Sequence, residues 1–161
     1  MNPTPPIIRR AREQRLIEAP LLGLSIRVLL STEESQGEQC VTEFVIANGY
    51  EGPASHWHDG FSETFIGLEG TFALHIGGTV HELGPNDVGF VPARQVHTYS
   101  VPTGACVRFL LISAPGADFD GYLAAVAEYV AATGKRPTED HDSFRALQAK
   151  FDIYDASIPV V

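Results

Sequence analysis

Between residues 21 and 114 the chain reads as eight short β-like runs with no helical pattern between them. They are LSIRVLL, CVTEFVIA, ETFIGLEG, TFALHI, TVHEL, DVGFVPA, VHTYSV and CVRFLLIS. The gaps hold NGYEGP, DG, GG, GPND and PTGA, which are turn chemistry. A parallel pair of strands needs a crossover of a dozen or more residues, usually a helix, and these gaps are too short. The expected fold is therefore all-β and antiparallel, closed as a sandwich or barrel. After residue 118 the period changes. Phe119, Leu123, Val126 and Val130 share one helical face, Gly134 marks a stop, and TEDHDSFRALQAKF reads as a second short helix. The chain opens on NPTPPII and RRAREQR, which read as an extended arm. The expected organisation is an arm over 1–20, a barrel over 21–114 and a helical extension of the same domain over 115–161. At 161 residues there is enough chain for one well-buried core.

Charge narrows the partners. Lys and Arg number 11 against 20 Asp and Glu, a formal net charge of −9. Binding to nucleic acid or to an anionic membrane surface needs basic clusters, so neither is expected. No apolar run approaches the ~20 residues of a membrane helix. The N-terminus shows no apolar segment ahead of a cleavage site. A soluble cytoplasmic protein is expected. Cys40 and Cys106 both fall in strand-like apolar runs, so both are expected to be reduced and buried.

The stretch HWHDGFSETFIGLEG carries the chemistry. Residues two apart in a strand point to one face, about 6.6 Å apart along the chain. His56 and His58 therefore project together, and Trp57 faces away from them. The Asp59-Gly60 pair breaks the strand, so Glu63 can begin the next one and aim back at the same point. His97 opens a later strand after Pro92, and a curled sheet would bring it to the same place. One reading is a pair of strand histidines with ordinary partners. The turn after His58, the glycine at 70 and the later Pro92/His97 pair together favour a metal site.

These residues resemble the cupin family. Its first motif, H-x-H-x4-E-x6-G, is matched by His56, His58, Glu63 and Gly70. Its second, G-x5-P-x-G-x2-H-x3-N, is matched by Pro92 and His97, with Asn86 and Arg94 at the two glycines and Val101 at the asparagine. The tail is similar to that of small monocupins resembling quercetin 2,3-dioxygenases. The resemblance implies a double-stranded β-helix, the cupin jelly-roll barrel, with two short C-terminal α-helices. It also implies one divalent metal held by His56, His58, Glu63 and His97. Three imidazoles and a carboxylate suit Fe, Mn, Ni, Co or Zn alike and leave coordination positions open. Released from the metal, Glu63 can serve as a catalytic general base toward a substrate hydroxyl.

Phe65, Phe72, Leu74, Phe90 and Tyr99 are expected to line the substrate pocket, and an apolar lining favours a flat or aromatic small molecule. Arg108 is expected on the outer sheet face, His75 and His81 exposed, and His141 solvated. The expected function is a metal-dependent dioxygenase acting on a flavonol-like or other enolisable aromatic. A non-oxidative cyclase or isomerase and a non-catalytic binding cupin are the alternatives, because one fold hosts many functions. Apolar outer alternations such as VRFLLI suggest a homodimer in which the N-terminal arm or LSIRVLL crosses between subunits.

Overall fold

The computed structural model describes residues 6–157. Residues 1–5, part of the proposed crossing arm, lie outside the described residues. Strands β1 (Arg15–Ala19), β2 (Leu24–Leu30), β3 (Cys40–Ile46), β4 (His56–His58), β5 (Ser62–Glu69) and β6 (Phe72–Ile76) lead into β7 (Thr79–Leu83), β8 (Val88–Val91), β9 (His97–Ser100) and β10 (Val107–Ala114). Then come α1 (Phe119–Thr133), α2 (His141–Ala149) and β11 (Ile153–Asp155). The strands form two antiparallel sheets, ordered β1-β2-β3-β10-β5-β8 and β11-β4-β9-β6-β7. This is the jelly-roll barrel with two C-terminal helices that the family resemblance implies, and one of the two antiparallel architectures that the residue pattern left open.

Alternation builds the core. β3 and β10 bury every second residue, and Phe44 stacks on Phe109 at 5.1 Å between ring centroids. Phe72 stacks on the other side of Phe109 at 4.7 Å. Helix α1 seats Phe119, Tyr122 and Leu123 in the same cavity wall as Leu24 and Ile26 of β2 and Phe44 of β3. It closes the barrel interior rather than covering an outer sheet face.

Two strands lie outside the eight runs and the histidine segment. β1 falls inside the segment read as an arm and pairs with β2 from Arg15 to Ala19. Only Ile17 and Ala19 of it are buried, so its charged alternates mask the pattern. β11 pairs with β4, placing Ile153 beside His58, Tyr154 beside Trp57 and Asp155 beside His56. Trp57 stacks on Tyr154 at 4.7 Å, away from the histidine face.

Three expectations are corrected. Phe90 is 59 % exposed and does not reach the interior. The register sets this: Val91 sits opposite Glu63 on the inner face, so Phe90, opposite Thr64, must face outward. Cys106 is exposed, because it lies in the turn just before β10, whereas Cys40 is buried within β3. His75 is half-buried, with its Nε2 3.0 Å from Ser100 Oγ on the neighbouring strand. His81 and His141 are exposed. Arg108 is on the outer sheet face, where it pairs with Glu43 and Glu69.

The contrast between inner and outer phenylalanines is measurable. Phe109→Ala should cost about 3–5 kcal/mol, as expected for a fully buried aromatic. Phe90→Ala should change stability of the monomer by no more than about 0.5 kcal/mol. Chemical denaturation of both variants at low protein concentration checks this, and equal losses would contradict the assigned register.

Candidate metal centre

Four turns aim the ligands. β4 is only three residues long, and all three are buried. His56 and His58 share its inner face. The turn at Asp59-Gly60 is tied down by the Gly60 N–H, which donates to Asp152 Oδ2 at 2.6 Å. β5 then brings Glu63 inward beside Val91. β9 starts at His97, directly opposite His56. At the end of β5 the chain passes through Gly70 with φ +71°, and a Cβ there would lie 2.3 Å from the Cys106 carbonyl oxygen. Only glycine fits that approach. Asn86 adopts the left-handed conformation at φ 71°, as its place in the motif requires. Arg94 does so too, at φ 66°. Its backbone N–H donates to the His58 carbonyl at 2.6 Å and its Nε to Asp59 at 2.7 Å. The residue replacing a glycine thus pins the turn that follows His58.

The result is one cluster. His56, His58, Glu63 and His97 are all buried, and their ligand atoms lie within 4.8 Å of one another. Glu63 Oε2 is 2.8 Å from His97 Nε2 and 3.5 Å from His58 Nε2. Adjacent donors about 2.1 Å from a common metal sit about 3.0–3.4 Å apart, so these spacings suit one shared ion. His56 Nδ1 donates to the Ala54 carbonyl at 2.8 Å, and His97 Nδ1 to the Gln95 carbonyl at 2.9 Å. Each bond fixes the tautomer and turns Nε2 toward the cluster, the outer-shell pattern of metal-ligating histidines. Both ring nitrogens of His58 are buried, and neither makes a hydrogen bond among the described residues, Nε2 meeting Glu63 only in that 3.5 Å contact. A buried donor–acceptor ring with neither nitrogen bonded is costly, and a metal ion would satisfy it. The residues fit a divalent transition metal.

The electrostatics agree. Burial, with the neighbouring imidazoles of His97 and His58 adding to it, pushes His56 down to about 3. That imidazole is therefore already neutral and free to ligate. Burial pushes Glu63 up, but His58 and His97 outweigh it and hold the carboxyl below its usual range. Burial pushes His97 down, and the bond and charge of Glu63 outweigh that and raise it. Without metal, His97 and Glu63 form a buried ion pair around one proton.

Two neighbouring cavities serve the cluster. The inner one, about 70 Å³, is walled by His56, Glu63 and Tyr99 with aliphatic and aromatic side chains. The outer one, about 460 Å³, lies between the 48–54 loop and the 136–148 segment. Leu22, Tyr50, Pro53, Pro137 and Phe144 line both. Of the residues expected to line the pocket, Tyr99 does so. Phe65, Phe72 and Leu74 are buried in the barrel core outside that lining, although Phe65 packs against His97 with 6.5 Å between ring centroids. Tyr50 and Tyr122 were not expected there. Tyr122 stands three residues beyond Phe119 on the same helical face, a signal that was available. Tyr50 is hidden in the turn cluster NGYEGP.

Residues 42–113 match the cupin domain family. No curated protein sequence matches the chain. Several solved structures share the fold. An RmlC-like cupin from Shewanella frigidimarina superposes with a TM-score of 0.56 at 21 % identity, over 67 % of this chain and 89 % of its own. The polyketide cyclase RemF from Streptomyces resistomycificus gives 0.56 at 22 %, over 68 % and 80 %. A predicted oxalate decarboxylase from Thermotoga maritima gives 0.57 at 19 %, over 67 % and 98 %. Residues 42–113 thus resemble the cupin domain family in sequence, and the barrel that holds the histidine cluster shares the fold of these structures. Among the described residues no helix is long and apolar enough to cross a membrane.

Metal occupancy should depend on each ligand. His58→Ala and His97→Ala should abolish stoichiometric binding, whereas Glu63→Gln should weaken it, since an amide oxygen still coordinates. Binding must displace the proton held by His97, whose affinity for it is raised above the ordinary 6.5. Metal affinity should therefore climb as pH rises through and beyond that value, with proton release. Zinc titrations across about pH 6 to 8 in buffers of differing ionisation enthalpy check the sign. A pH-independent affinity would contradict the ion pair.

Proposed function

We propose that this protein is a metal-dependent dioxygenase acting on a flavonol-like or other enolisable aromatic small molecule. The observation that carries the reading is a cluster of four buried ligands, two of which, His56 and Glu63, stand in the wall of an apolar cavity. A divalent ion bound there supplies Lewis acidity and open coordination positions for oxygen donors. The chain supplies the rest. Glu63, poised between His58 and His97, would accept the proton of a substrate hydroxyl. The apolar walls from β2, β3 and α1 exclude water, which strengthens electrostatic interactions inside the cavity.

Size constrains how a substrate fits. The inner cavity, about 70 Å³, is smaller than the ~150 Å³ engineered cavity that admits benzene. The outer one, about 460 Å³, falls in the range of ordinary small-molecule sites, about 300–1,000 Å³. The bulk of the substrate therefore lies outside, and its reacting end passes the wall formed by Tyr50, Pro137 and Phe144. The tightness of the inner cavity favours a second reading, a non-oxidative cyclase or isomerase, because that chemistry needs no room for dioxygen beside the substrate.

The two readings separate by mass and gas balance. Protein loaded in turn with Fe, Mn, Ni or Co should consume O₂ with at least one flavonol or polyphenol, and with ¹⁸O₂ the products, including any CO expelled from an opened flavonol ring, should together carry both labelled atoms. A product of unchanged mass without O₂ uptake supports the second reading. No turnover with any metal contradicts both.

We also propose a homodimer. Val88 and Phe90 are exposed beside the half-buried Ile66, Leu110 and Ile112 on the outer face of one sheet. A second copy can cover that face about a two-fold axis. β2 is paired on both edges within its own chain, which leaves the segment ahead of β1 as the part free to cross. Sedimentation of the full chain at micromolar concentration should show a dimer, and a chain lacking residues 1–14 should dimerise more weakly. A monomeric full chain contradicts the assembly.

A further inference from the structure

Two phenol hydroxyls in the cavity make no hydrogen bond among the described residues. Tyr50 and Tyr99 line the same inner cavity as His56 and Glu63. Tyr99 is only 6 % exposed. Neither hydroxyl makes a hydrogen bond among the described residues, and neither is sealed in the core as that of Tyr129 is. Both open onto the cavity. The third tyrosine there, Tyr122, is engaged by Gln148.

The pair is held rigidly. Tyr50 exchanges backbone hydrogen bonds with Val101, at 2.9 and 2.7 Å. Gly52, at φ +92°, presses the same loop onto β9 so closely that a Cβ would lie 1.8 Å from the Tyr99 carbonyl oxygen. The Tyr99 ring is packed by Phe44, Phe65 and Phe109, with centroids 6.3, 5.9 and 5.4 Å away. The two tyrosine rings stand 5.8 Å apart, tilted by 45°. A hydroxyl that bonds to nothing in the fold adds nothing to its stability, and phenylalanine would fill either place as well. Burial pushes Tyr50 up to about 12, with the charge of Arg136 offsetting part of the rise, so it remains a neutral donor at physiological pH.

We propose that Tyr50 and Tyr99 are a paired donor clamp for a second substrate oxygen, next to the one that reaches the metal. The site then selects molecules carrying two neighbouring oxygens, such as an ortho-dihydroxy ring or an enolised hydroxyketone, over singly oxygenated ones. The inference rests on the metal-dependent reading above and specifies its substrate class. Tyr50 and Tyr99 are specificity-determining residues in this account, and the proton chemistry stays with Glu63.

The test uses the full chain loaded with zinc, under anaerobic conditions. The probes are 4-nitrocatechol and 4-nitrophenol, followed by their absorbance shifts. Wild type should bind the catechol more tightly than the phenol. Tyr50→Phe and Tyr99→Phe should each weaken catechol binding by about threefold to tenfold, the range of one neutral hydrogen bond. Phenol binding should not change, and neither variant should melt lower than wild type, because each loses only an unpartnered hydroxyl. Unchanged catechol binding in both variants overturns the clamp and leaves the metal-dependent reading standing. A lowered melting temperature with equal weakening of both probes assigns the tyrosines a structural role and also overturns the clamp. Wild type that binds neither probe, or binds them equally without zinc, overturns the reading and the clamp together.

Discussion

A carboxylate buried among three imidazoles is the constraint around which this barrel is arranged. Glu63 is 3 % exposed, and removing a charge from water costs several kcal/mol even after relaxation. In the metal-free protein that cost is offset by His97 at 2.8 Å and His58 at 3.5 Å. The compensation is incomplete, because His58 approaches the carboxylate only at 3.5 Å and neither of its ring nitrogens makes a hydrogen bond among the described residues. A divalent cation held by these four residues would complete it, satisfying His58, replacing the proton of His97 and pairing with the carboxylate. Ligand burial and metal affinity are thus two sides of the same electrostatic arrangement.

The two sheets exist, in this sense, to deliver donors from opposite directions. β4 and β9 belong to one sheet and carry the imidazoles, while β5 belongs to the other and carries the glutamate. Only a closed barrel brings these strands face to face, and the aromatic stack of Phe44, Phe109 and Phe72 fills the space behind them. β11 covers the outer edge of β4, which is otherwise a three-residue strand with little pairing of its own. Left-handed residues at Gly70, Asn86 and Arg94 set the corners. Arg94 shows how a missing glycine is accommodated: the side chain that makes the conformation unfavourable also bridges to Asp59.

Much of this was legible in the residues. The eight runs with period-two alternation became β2, β3 and β5 to β10, and the four donors expected to converge lie in one cluster. What escaped was whatever depends on long-range pairing. β11 has three residues and no pattern, and it is a strand only because β4 offers it an edge. Phe90 reads as an apolar strand residue, yet its face was set by the register against β5, which a local run cannot encode. Cys106 was misplaced by one residue at a strand boundary, enough to move it from core to turn. Tyr50 sits in turn chemistry, where an aromatic carries no periodic signal, and only the bridge to Val101 reveals that it faces the cavity.

The central claim is that His56, His58, Glu63 and His97 hold one metal ion together. X-ray absorption spectroscopy of the protein loaded with one equivalent of zinc addresses it directly. The account predicts nitrogen and oxygen donors at about 2.0–2.2 Å, with outer-shell scattering from three imidazoles and no sulfur. A spectrum with fewer than two imidazoles, or with a sulfur ligand, would contradict it.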